Sequence, residues 1–259
     1  MKALITGASS GFGWDMAHIL SEMGYDIIAV ARRTELLEKL KSELKTNVEI
    51  ISCDVTDFSA CETLASKAGE VDILINNAGF GVFGAFDGTD LNKELTMIDT
   101  NIKAVHTLTK LFLKEFKKRN SGYIMNVSSL AAFFPGPLFA SYYASKSYVL
   151  RLTQSIHEEL RRDKSNVRVC VLCPGPAHTG FAEAAKVNFG TGSEDGIASK
   201  VILSSMAVSK YAIKKMFKNK TVIVPGFLMR CAVSARHFLS DKLLARVVYG
   251  VQSKKMIIK

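Results

Sequence analysis

The sequence predicts an α/β fold: a doubly wound, mostly parallel sheet with helices on both faces, formed as a single domain. Three observations carry the prediction. Seven short apolar runs recur along the 259 residues, and longer segments with helical spacing separate them. The first run ends in a glycine-rich turn that leads into a helix. Strand and helix in alternation give parallel strands joined by right-handed crossovers, which covers both faces of the sheet.

The strands are expected at Ala3–Ile5, Ile27–Val30, Val48–Ile51, Ile73–Ile75, Tyr123–Val127, Val167–Leu172 and Val222–Val224. Each is a short apolar run of the kind buried on both faces. Helical spacing is read at Gly13–Met23, Glu35–Leu44, Ser59–Lys67, Leu91–Lys118 and Ser141–Arg162, with Thr34 and Ser59 as N-caps. Residues 179–204 hold four glycines and have no clean period, which suits a substrate lid. The segment 226–259 repeats Leu239, Leu243, Val247 and Val251 at i+4 and reads as helix, with Ser240 or Asp241 as a cap.

Composition narrows the function classes. The apolar fraction of 48% and charged fraction of 22% are those of a globular protein. No run has the length of a membrane span, and the N-terminus lacks a signal-peptide layout, so a cytoplasmic protein is expected. Five cysteines form no disulfide framework. Cys170 and Cys173 would point to opposite faces of a strand, and no second pair completes a metal site, so no metal is expected. The formal charge of +10 reads mainly as solvated helix faces. No recognition motif supports nucleic-acid binding. There is no G-x-S-x-G elbow and no H-E-x-x-H cluster.

The turn Thr6-Gly7-Ala8-Ser9-Ser10-Gly11-Phe12-Gly13 sits between the first strand and first helix. Glycines allow backbone to approach a pyrophosphate, and a helix N-terminus offers free N–H groups and a favourable dipole. The second strand runs into Ala31-Arg32-Arg33. A carboxylate there would favour NAD by bonding the ribose hydroxyls. Two guanidiniums instead suit a 2′-phosphate, so NADP(H) is expected, with Arg32 as the leading contact and Arg33 beside it.

Tyr142 and Lys146 share one helix face as Y-x-x-x-K. A nearby ammonium stabilises a phenolate, so the pair can move a proton to or from a carbinol oxygen. Tyr143 lacks a lysine four residues on and reads as structural. Ser128 and Ser129 end the fifth strand, and Asn101 stands inside a long helical segment, where a role or a bend is expected.

The motifs T-G-x-x-x-G-x-G, N-N-A-G, Y-x-x-x-K and P-G-x-x-x-T, in this order over residues 6–179, resemble those of the short-chain dehydrogenase/reductase family. The resemblance implies a Rossmann-like fold and an oxidoreductase that interconverts a carbonyl and an alcohol. It implies that Gly7, Ser9, Ser10, Gly11, Phe12 and Gly13 line the cofactor phosphates and ribose. Asp54, with Val55, would contact the adenine, and Asn77, Ala78 and Gly79 would border the cofactor. Ser129, thirteen residues before Tyr142, would hold the substrate oxygen. Asn101 would hold a water in a proton relay, and Lys146 would also bond a ribose hydroxyl. Pro174, Gly175 and Thr179 would flank the nicotinamide, with His178 a lining or surface residue. Association as a homodimer or homotetramer through two long helices is implied as well.

The substrate is expected to be a hydrophobic ketone or aldehyde, because Phe133, Phe134, Pro135, Leu138 and Phe139 follow Ser129 closely. The basic C-terminal segment reads first as helix packed over the core or substrate mouth. Contact with a membrane surface is the lesser reading.

Overall fold

The computed structural model describes residues 1–178, 181 and 203–254. Its main sheet has seven parallel strands in the order β3-β2-β1-β4-β5-β6-β9. These are β1 (Lys2–Thr6), β2 (Asp26–Ala31), β3 (Val48–Ser52), β4 (Ile73–Asn76), β5 (Tyr123–Val127), β6 (Arg168–Leu172) and β9 (Val222–Ile223). A separate parallel pair joins β7 (Ala177–His178) to β8 (Leu203–Ser204). The predicted strands all occur, displaced by one residue at some ends. The β7–β8 pair was not predicted, because two-residue strands leave no periodic signal.

Alternation along the strands builds a core on each side. Ala3, Ile5, Ile27, Ala29, Ile73, Ile75, Met125 and Cys170 face one layer. That layer is supplied by α1 (Gly11–Glu22), α2 (Thr34–Glu43) and α7 (Ser205–Met216). Leu4, Ile28, Val30, Leu74, Ile124 and Val169 face the other, where α3 (Phe58–Lys67), α5 (Val105–Arg119) and α6 (Ala140–Arg162) pack. Each large aliphatic side chain fully withdrawn from water contributes about 1.5–3 kcal/mol. Cys170 and Cys173 are both buried, in different clusters on opposite faces, and all five cysteines are free.

Three expectations are corrected. The segment Leu91–Lys118 is not one α-helix: α4 (Leu91–Ile98) and α5 are joined by a π-helical stretch, Asp99–Ala104, that contains Asn101. Thr34 is the first helical residue of α2, and its N-cap is Arg33. The N-cap of α3 is Asp57, not Ser59. Its carboxylate accepts from the Ser59 and Ala60 amides, and a charged acceptor there suits the helix dipole better than a hydroxyl. The C-terminal segment is helical, as α8 (Phe227–Ala235) and α9 (Asp241–Ser253) around a 3₁₀ turn, with Ser240 capping α9. No described helix is long and apolar enough to cross a membrane.

Strand order reverses between β1 and β4, and a single hydroxyl ties the two strand ends. Thr6 Oγ1 accepts from the amides of Asn77 (3.0 Å) and Ala78 (3.1 Å) and donates to the Ile75 carbonyl. Asn77 Nδ2 donates back to the carbonyls of Thr6 and Gly7, each at 3.1 Å. Thr6 is almost wholly buried. Thr6→Val keeps the shape but orphans the Asn77 and Ala78 amides. It is expected to lower unfolding free energy by about 1–3 kcal/mol in urea denaturation; a loss of a few tenths would show that the hydroxyl is dispensable.

Candidate active site

The C-terminal ends of the strands border one cavity of about 1180 Å³. In open α/β sheets this edge, at the point of strand reversal, is where ligands bind. One end of the cavity is built by the glycine turn. Gly7 (φ +66°) and Gly11 (φ +56°) occupy the left-handed region that favours glycine. A Cβ on Gly13 would lie 2.5 Å from the Gly7 carbonyl oxygen, so this glycine lets α1 start close against β1. Gly13 itself does not line the cavity, whereas Gly7, Ser9, Ser10, Gly11 and Phe12 do. Ser10 caps α1 without a side-chain bond, so no hydroxyl competes for the first amides of the helix.

The ends of β2 and β3 add Arg32, Arg33, Asp54 and Val55 to the lining. Arg33 Nη2 donates to Ser9 Oγ at 3.1 Å, which brings its guanidinium over the glycine turn. Arg32 Nη1 lies 3.9 Å from Asp54 Oδ2, a looser and more exposed pair. Asp54 is otherwise occupied by Thr56, whose amide and hydroxyl both donate to it. Asn77, Ala78 and Gly79 follow β4 along the cavity floor, and Pro174 and Gly175 follow β6. Thr179, and the lid expected over residues 179–204 apart from Phe181, Leu203 and Ser204, lie outside the described residues. These residues fit a dinucleotide cofactor: a glycine cradle that a Cβ would fill, free helix amides and two cations border one elongated cavity.

At the other end stand Ser129, Tyr142 and Lys146. Ser129 follows β5 and caps a 3₁₀ turn, Leu130–Phe133, by accepting from the Ala131 amide at 3.1 Å. It also faces the Tyr142 hydroxyl closely enough to favour its ionised form. Lys146 Nζ donates to the Val127 carbonyl at 3.0 Å and lies 5.8 Å from the Tyr142 ring centre. Ser128 Oγ donates to the Lys146 carbonyl at 2.7 Å, locking α6 to the end of β5. The sequence singled out Ser129 only through family spacing; the geometry separates the two serines, since Ser128 turns away to backbone.

Asn101 does not line the cavity, and its side chain is fully buried. Nδ2 donates to the Phe80 carbonyl (2.9 Å) and to Ser145 Oγ (3.1 Å), and Oδ1 accepts from the Phe80 amide (3.2 Å). Ser145 in turn donates to the Tyr142 carbonyl at 2.7 Å. The side chain therefore links the loop after β4 to the first turns of α6. A Cβ on Gly79 would fall 2.8 Å from Asn101 Oδ1 and 3.1 Å from Lys146 Nζ, so a larger residue there would displace both. Sequence reasoning missed Ser145, although its position three residues after Tyr142 on the same helix face was a usable signal.

The electrostatics differ from expectation in one respect. Burial pushes the Tyr142 phenol above its ordinary value, and the nearby Ser129 hydroxyl only partly opposes this. The neighbouring ammonium does not bring it below that value in this arrangement, because withdrawing the phenol from water dominates. Burial lowers Lys146 from 10.5 to about 8, with buried Cys173 acting weakly in the opposite sense.

The surrounding wall is aromatic. Phe139 stacks on Tyr142 with ring centres 4.5 Å apart, and Phe181 approaches Tyr142 at 5.3 Å. Tyr143, read from sequence as structural, also lines the cavity, where its hydroxyl accepts from Gln252 Nε2 at 2.7 Å. Gln252 and its α9 neighbours Leu244, Val247, Val248 and Val251 close that side. Sequence reasoning missed Gln252, a polar residue with no motif around it.

Residues 1–188 match the family described as short chain dehydrogenase. The chain is 35% identical to an NADP-dependent 3-hydroxy acid dehydrogenase of Escherichia coli (strain K12) over 215 residues, 81% of this chain and 84% of that protein. It is 31% identical to a 3-ketodihydrosphingosine reductase of Bacteroides thetaiotaomicron over 211 residues, 80% of this chain and 75% of that one. Among solved structures it resembles a short chain dehydrogenase/reductase from Burkholderia phymatum in complex with NAD, with a TM-score of 0.81, 25% identity and 92% coverage of each chain.

Lys146 is expected to lose its proton as pH rises through about 8, because burial disfavours its charged form. Carbon NMR of side-chain-labelled lysine would follow it. Titration close to 10.5, the ordinary value, would contradict the buried environment described here.

Proposed function

Because this chain belongs to the short-chain dehydrogenase/reductase family, we propose that it is an NADP(H)-dependent oxidoreductase interconverting a hydrophobic ketone or aldehyde and its alcohol, with Tyr142 as the proton-transfer residue. The observation that carries this reading is the gathering of Ser129, Tyr142 and Lys146 at one end of the cavity whose other end is the glycine turn.

Bound cofactor supplies or removes the hydride at the carbinol carbon. The remaining work falls to the chain. Ser129, which faces the Tyr142 hydroxyl, would orient the substrate oxygen beside it. Tyr142 would donate its proton to that oxygen as negative charge develops. The Lys146 ammonium would stabilise the phenolate left behind, and lies close enough to Gly79 to meet a ribose hydroxyl in the same cleft. Asn101 holds the Phe80 loop and, through Ser145, the Tyr142 turn of α6, which makes it a positioning residue.

Three observations support NADP(H) over NAD. The end of β2 carries no acid, Arg33 reaches across to Ser9, and Arg32 stands free enough to leave Asp54. The E. coli relative is NADP-dependent by name. The hydrophobic substrate is supported by Phe80, Leu130, Phe134, Phe139, Phe181 and the valines of α9 around the reacting end.

Tyr142→Phe is expected to lower carbonyl reduction by about 100-fold or more while NADPH still binds, as judged by turnover and by quenching of protein fluorescence. Retained turnover would refute the assigned role. Arg33→Ala and Arg32→Ala are each expected to weaken NADPH by roughly tenfold or more and NADH little. Equal losses for both nucleotides, read by titration, would show that neither guanidinium meets a 2′-phosphate.

A further inference from the structure

Charge and exposed apolar surface are both distributed unevenly along the chain, and they overlap on α8, the 3₁₀ turn and α9, where Arg230, Arg236, Lys242, Arg246 and Lys254 stand against Asp241. Residues 205–259 carry twelve Lys and Arg against a single acid, Asp241. The rest of the chain holds twenty-two basic and twenty-three acidic residues, so the whole +10 excess belongs to this final segment. Eight of the fifteen exposed large apolar side chains among the described residues fall between 227 and 251. They include Phe227 at 70% exposure and Phe238 at 88%.

Roofing the cavity does not account for them. The roof uses Ala232, Leu244, Val247, Val248, Val251 and Gln252. Phe227, Leu228, Phe238, Leu239, Leu243 and Tyr249 point elsewhere and stay exposed. On α9 Leu244 and Gln252 are buried and Val248 between them is partly buried, while Leu243, Val247 and Val251 form a stripe beside them. Val247 and Val251 are more than half exposed and yet line the cavity, so this apolar stripe runs from open surface into its mouth. Lys242 and Arg246 stand exposed on the same helix.

We propose that α8, the 3₁₀ turn and α9 form a docking surface for an anionic lipid bilayer, with the mouth of the cavity opening toward the lipid. Aromatic and aliphatic side chains enter the boundary between headgroups and acyl chains, and the surrounding cations meet anionic headgroups. Charge decides between this occupant and a second copy of the chain. Two such faces would set like charges against each other, whereas an anionic membrane complements both features. The docking stands independently of the proposed chemistry; only the passage of an apolar carbonyl from lipid to Tyr142 rests on that reading.

Flotation of the full chain with vesicles tests the proposal. One vesicle is phosphatidylcholine, and the other carries about a third phosphatidylglycerol. Partition to the anionic vesicle should be at least about tenfold stronger and should fall as salt is raised. The pair Phe227→Ser with Phe238→Ser, and the pair Lys242→Glu with Arg246→Glu, should each reduce it by about tenfold. None of these four residues lines the cavity, so reduction of a water-soluble carbonyl should be unchanged in both variants. Equal partition to the two vesicles, or binding that survives both variant pairs, would overturn the proposal. So would sedimentation showing that the phenylalanine pair dissolves a dimer, or tighter binding of an oligonucleotide than of vesicles at physiological salt. Because partition is read without turnover, an inactive but membrane-bound protein would count against the chemistry alone.

Discussion

The Thr6 hydroxyl, fastened to the amides of Asn77 and Ala78, is the interaction on which the arrangement of the site depends. Parallel strands diverge where their order reverses, and the crevice this opens is useful only if its walls keep a fixed separation. Thr6 and Asn77 bridge it with side-chain bonds to backbone. Gly7 can then turn the chain sharply, and Gly13 can bring α1 against the Gly7 carbonyl. The glycine-turn end of the cavity is therefore built from main chain positioned by the sheet.

The Tyr142 end of the cavity is organised by burial of polar groups instead. Asn101, Ser145, Ser128 and Lys146 all lie within the protein, and each has a named backbone or hydroxyl partner. A buried polar group without a partner costs more than a normal hydrogen bond contributes, so such a set permits few alternative arrangements. The π-helical stretch is part of it. An extra residue in the turn between α4 and α5 carries Asn101 inward to the Phe80 loop, which a regular helix would not allow at this position in sequence.

Much of this was legible in the residues. The seven strands of the sheet were marked by apolar runs, because strands buried on both faces leave little room for polar residues. The glycine turn, the arginines after β2 and the Tyr142–Lys146 spacing pointed to one edge of the sheet, where they are now found bordering one cavity. What was hidden follows a pattern. Asn101 read as an anomaly within a helix, because the π stretch depends on tertiary hydrogen bonds and has no period of its own. Asp57 displaced Ser59 as a cap through a difference of two residues. Gln252 and Phe181 reach the cavity from distant sequence, and no local rule links them to Tyr142. Spacing reveals the ammonium near Tyr142 but not the depth of burial, which pushes the phenol upward.

The hydrogen bond between Gln252 and Tyr143 has a geometric consequence. Successive residues on an α-helix point about 100° apart around its axis. Tyr142 and Tyr143 are therefore two spokes of one wheel, one aimed at Ser129 and the other at α9. Seating Gln252 on the second spoke sets the azimuth of the first. A side chain 109 residues away thus ties α9 to the turn of α6 that carries Tyr142.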